Sequence, residues 1–64
     1  MAHLLERQMK KYDIFLGKNG GYHTYRVEPN ADSATLARWL DRGYRIATEH
    51  QIGWTLHEVY LVKI

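Results

Sequence analysis

Four histidines stand in this 64-residue chain, and three of them, His23, His50 and His57, fall where the pattern reads as strand. Imidazole is a common metal ligand, but a zinc site needs three or four ligands converging at about 2 Å. There is no His-Glu-x-x-His run and no His-x-His pair. The expected register turns His57 toward the core and leaves His50 at a loop end, so no metal or cofactor site is expected. Nucleophilic chemistry fares no better. The sole serine, Ser33, stands where a helix cap belongs, and there is no cysteine. Glu49 and Glu58 are expected on one sheet face with Arg45 as charge partner. A carboxylate pair also needs a cleft, and ligand pockets run to about 300 Å³ or more. "GKNGG" (residues 17–21) lacks the Lys-Ser/Thr and the following helix of a phosphate-binding loop. The chain reads as a non-enzyme.

The totals agree with a small binding protein. A domain of this length buries only about 60% of the surface it exposes when unfolded, so its core is thin. Small secreted domains lean on disulfides, and the lack of cysteine points to the cytoplasm. No stretch approaches the roughly 18 apolar residues of a membrane span. Nine basic and seven acidic residues leave a net charge of +2, which permits a nucleic-acid surface without demanding one.

One domain, residues 1–64, is expected, with residues 1–10 either a short helical turn or a flexible segment. "KKYDIFLGKNGGYHTYRVE" reads as a hairpin about Asn19-Gly20, because the primed two-residue turn requires positive φ at both central positions. With Lys18 opposite Gly21, Leu16 meets His23, Ile14 meets Tyr25 and Tyr12 meets Val27. On the other face Asp13 meets Arg26 and Lys11 meets Glu28. "PNADSATLARWLDRG" is the helix: Asp32 or Ser33 caps it, Leu36, Trp39 and Leu40 share one face, and Gly43 takes the left-handed cap position.

A second hairpin, "YRIATEH" and "TLHEVYLVKI", is expected around "QIGW". With His50 opposite Thr55, Tyr44 meets Leu61, Ile46 meets Val59 and Thr48 meets His57. The predicted class is α+β, with order ββαββ, a mainly antiparallel four-stranded sheet and one helix on one face. The spatial order of the strands is not readable from sequence.

The last strand is apolar on two faces, and one helix covers only one. Leu56, Tyr60 and Val62, with Ile64 beyond and Trp54 at the hairpin tip, are therefore the candidates for protein contact. Self-pairing as a homodimer and docking on an unidentified protein are the expected partnerships, with no membrane role. The alternative is single-stranded RNA or DNA binding, in which Phe15, Tyr22 and Tyr25 stack bases while Lys11, Arg26 and Arg45 meet phosphates.

The block "LARWLDRGYRIATEHQIGWTLHEVYLVKI" resembles small bacterial and phage domains of unknown function, in which a leucine-bearing helix ends at a Gly-aromatic junction before a terminal hairpin. Leu36, Leu40, Gly43, Tyr44 and Ile46 carry the likeness over roughly the last half of the chain. The resemblance implies a compact α/β module of phage or mobile-element origin. It implies no activity.

Overall fold

A computed structural model describes residues 10–18 and 23–64. The elements are β1 (Lys11–Lys18), β2 (His23–Ala31), helix α1 (Ser33–Asp41), β3 (Tyr44–Gln51) and β4 (Leu56–Lys63). They form an α+β domain of order ββαββ with one four-stranded sheet, β2-β1-β4-β3. Each hairpin is antiparallel, and the two are joined through a parallel central pair, β1 with β4. The sheet is thus mixed.

Period-2 alternation sets the core. Tyr12, Ile14 and Leu16 of β1 lie level with His57, Val59 and Leu61 of β4, so both central strands turn one apolar row to the same side. Ile14, Val59 and Leu61 are fully buried, and Leu36 of α1 and Ala31 complete the cluster. Helix α1 crosses this side, hereafter the helix face.

The helix ends are built as the sequence suggests. The carboxylate of Asp32 accepts from the Thr35 N–H at 2.9 Å and from the Thr35 hydroxyl at 2.8 Å. These two bonds, the backbone one foremost, hold its pKa below the ordinary 3.8. At the other end Gly43 has φ 96°, and its N–H donates to the Leu40 carbonyl. The end of β4 is latched there. Lys63 Nζ donates to the Arg42 carbonyl at 2.8 Å, and the Ile64 N–H donates to that of Gly43. Trp39 meets Tyr44 edge-on at 5.5 Å, with Arg42 over the indole and Lys63 over the phenol. Trp39 Nε1 also reaches Glu28 at 3.4 Å. Leu40 lies at the helix margin and is exposed, whereas Leu36 is buried and Trp39 half-buried.

Both registers differ from the sequence expectation. In the first hairpin Lys18 pairs with His23, Leu16 with Tyr25 and Phe15 with Arg26, a displacement of two residues that preserves the faces. Four residues therefore separate the strands instead of two. The Asn19-Gly20 turn itself lies outside the described residues. Two irregularities follow along β2. Ile14 pairs with Glu28 and Tyr12 with Ala31, so Val27 and then the Pro29–Asn30 region are bulged. Asn30 sits at φ 53°, and its N–H donates to the buried Asp13 carboxylate at 2.8 Å. Arg26 lies 3.8 Å from the other oxygen of Asp13, so the expected ion pair survives the changed register. Pro29 fits β2 because this is an edge strand, where a missing donor costs no ladder bond.

In the second hairpin Tyr44 pairs with Lys63 and Ile46 with Leu61, again displaced by two. A bulge at Ala47 then inverts the alternation: Thr48 pairs with Tyr60, Glu49 with Val59 and His50 with Glu58. Glu49 and Glu58 consequently lie on opposite faces, contrary to expectation. Glu49 turns to the helix face, where its Oε2 lies 3.0 Å from His57 Nδ1 and 3.7 Å from Lys10 Nζ. Both edge strands, β2 and β3, carry bulges, a feature that disfavours strand addition along an edge.

Candidate docking surfaces

The second hairpin ends in a braced tip. Gln51 Nε2 donates to the carbonyls of Gly53 at 3.1 Å and Trp54 at 2.9 Å. The N–H groups of Ile52 and Gly53 both donate to the Leu56 carbonyl, and the Lys11 N–H donates to that of Thr55. These bonds fix the backbone without burying the apolar side chains it carries. Trp54 is 84% exposed and Ile52 is 49% exposed. The indole does not fold back on the core.

The second surface is the sheet side opposite the helix, the far face. Strand pairing puts four residues in one row across it: Arg26 of β2, Phe15 of β1, Tyr60 of β4 and Thr48 of β3. Phe15 and Tyr60 stack with centroids 4.7 Å apart and planes 16° from parallel. The next row holds Asp13, Glu58 and His50, and His50 meets the Tyr60 ring edge-on. Arg45 pairs with Val62 on the other side of the aromatic row, while Lys11 pairs with Leu56 beyond the acidic one. The Tyr60 hydroxyl donates to Glu58 at 3.2 Å. Partial burial first, then this bond and the carboxylate charge, push the Tyr60 phenol above its ordinary 10.0. Among the described residues no element packs on this face.

The residues singled out from sequence separate into distinct places. Leu56, Tyr60 and Val62 share the far face and are half-buried. Trp54 and Ile64 do not join them: they stand beyond opposite ends of β4, with roughly 25 Å of strand between. Of the nucleic-acid set, Lys11, Phe15, Arg26 and Arg45 fall on the far face. Tyr25 does not, because it pairs with Leu16 and turns to the helix side. Tyr22 lies outside the described residues. Sequence reading missed Ile52 at the tip, and it placed Asp13 beside Arg26 and Glu58 beside Leu56 and Tyr60 without bringing the two carboxylates level with each other. Ile52 beside Trp54 was a visible cue, whereas the acidic row depends on which strands neighbour one another.

Among the described residues no group of three or more His, Cys, Asp or Glu is placed to hold a metal ion. No described helix is long and apolar enough to cross a membrane. No family model, curated protein or solved structure matches the chain.

Proposed function

We propose that this chain is a small non-enzymatic docking module of the cytoplasm, whose partner-binding element is the braced tip bearing Trp54 and Ile52. The observation that carries this reading is the 84% exposure of Trp54 on a backbone tied by Gln51. Leaving a large apolar side chain such as Ile52 in water forgoes about 1.5–3 kcal/mol of burial, and the larger indole adds to this. A convex apolar tip suits a concave apolar pocket on a partner protein, and tryptophan is prominent among binding hot spots. The bracing lowers the entropy lost on docking, since the loop is already ordered.

The test is capture from nuclease-treated lysate with the wild-type chain, Trp54→Ala and Gln51→Ala as baits. The expected result is a discrete protein retained by the wild type, lost with Trp54→Ala and weakened with Gln51→Ala. Equal capture by all three baits, or capture that vanishes with nuclease, contradicts the proposal.

A further inference from the structure

We propose that the far face of the sheet is the surface on which a second copy of this chain packs, with the strands of the two copies running in opposite directions across the interface. Four strands at about 4.8 Å spacing and eight residues at about 3.3 Å rise give a face of about 500 Å² in projection. Two such faces together reach about 1,000 Å², the lower bound for a specific interface. The helix covers only the other side, and the centre of the far face is the stacked Phe15–Tyr60 pair, with Val62 next to it on one side and the Asp13–Glu58 level, then Leu56, on the other. Packing it against its own copy adds a second apolar layer to a domain in which, among the described residues, the fully buried large side chains are Ile14, Val59 and Leu61.

Charge selects both the occupant and its direction. Asp13 and Glu58 are level with each other, one step along the strands from the aromatic row. A symmetric pair with strands running the same way brings β1 over the copy's β4. It would place Asp13 of each chain against Glu58 of the other, a four-carboxylate cluster in a closing interface. Reversing the strands about the Phe15–Tyr60 row removes that conflict, and the Arg26 side chains it sets opposite each other are each already balanced by the Asp13 beside them. The acidic row of each copy then lies against the level of Val62 and Arg45 of the other. Arg45 is exposed and has no ion pair among the described residues, so it is available to Glu58 of the second copy, twice by symmetry. The same acidic row repels a phosphate backbone drawn to Arg26 and the rings, which favours a second copy over a nucleic-acid strand. In this arrangement the two Trp54 tips project from opposite ends and stay accessible.

The experiment is sedimentation equilibrium on the full chain, with wild type, Arg45→Glu, Arg45→Glu/Glu58→Arg and Val62→Glu compared. Circular dichroism checks that each is folded. The expected wild-type mass is twice the chain's 7.6 kDa. Arg45→Glu should weaken self-association by about tenfold or more, the double charge reversal should restore most of it, and Val62→Glu should give monomer. A wild-type monomer overturns the proposal. So does a dimer indifferent to Val62→Glu and Arg45→Glu, which puts the interface elsewhere. Monomer that binds mixed single-stranded oligonucleotides with steep salt dependence assigns the face to nucleic acid instead. None of these outcomes bears on the Trp54 tip, whose own test is independent of mass.

Discussion

Phe15 and Tyr60 lie side by side on the two parallel central strands, with rings stacked at 4.7 Å on the face the helix leaves alone. The pair joins two segments more than 40 residues apart in the chain. It is the centre of the far face, and the ionisable groups beside it make its environment measurable.

Tyr60 should titrate later than an exposed tyrosine. Its hydroxyl donates to Glu58 and is partly desolvated, so the protonated phenol is favoured in the folded chain. A raised folded-state pKa contributes stability that is present below the ordinary 10.0 and lost as pH rises through the raised value. Ultraviolet titration of a variant keeping Tyr60 as its only tyrosine should show the upward shift. Glu58→Gln should bring the midpoint back down, and an unmoved midpoint contradicts this assignment.

The Asp13–Asn30 bond should govern the β2 bulge. Asp13→Ala leaves the Asn30 N–H without its acceptor, at a cost of about 1–3 kcal/mol in urea unfolding. Asn30→Ala forces an alanine to φ 53° and should cost about 1 kcal/mol, while Asn30→Gly should lie within about 0.5 kcal/mol of wild type. The Asp13→Ala and Asn30→Ala losses should not add, because both act on the same bulge.

Gly43 tests conformation separately from space. The nearest atom to an added Cβ is Lys63 Cε at 3.8 Å, an ordinary contact. Gly43→Ala should therefore destabilise by about 1 kcal/mol through its φ of 96° alone, measured as a lower urea midpoint with unchanged slope.

Leu61→Ala should nearly abolish the fold. Leu61 is fully buried between β1 and β3, and truncating such a leucine costs about 2–5 kcal/mol. The total stability of a domain is only about 5–15 kcal/mol, and one this small belongs at the low end. Loss of the cooperative thermal transition is the expected readout.

The contrast between what the sequence conveys and what it conceals follows the range of the interactions. The cap at Asp32, the left-handed Gly43 and the two strand pairs are local, and turn chemistry and alternation make them readable. The core rows of β1 and β4 are likewise visible as Ile14, Leu16, Val59 and Leu61. The parallel β1–β4 contact is not local, and nothing in either segment names its neighbour. Bulges are harder still. Ala47 has no side chain that advertises an inversion, yet that inversion carries Glu49 from beside Glu58 to His57. The docking surfaces divide the same way. Trp54 at a loop tip was evident, but the row that brings Arg26, Phe15, Tyr60 and Thr48 together required the strand order.

The docking proposal rests on Trp54 being presented to solvent, and fluorine NMR of the chain labelled with 5-fluorotryptophan tests this most directly. Two resonances are expected, one each for Trp39 and Trp54, with Trp54→Phe assigning them. Trp54 should show a full solvent isotope shift in the isolated protein, Trp39 a smaller one, and the Trp54 shift should be lost on adding the captured partner. A protected Trp54 in the isolated protein, or a partner that leaves its resonance unchanged, would contradict the docking proposal.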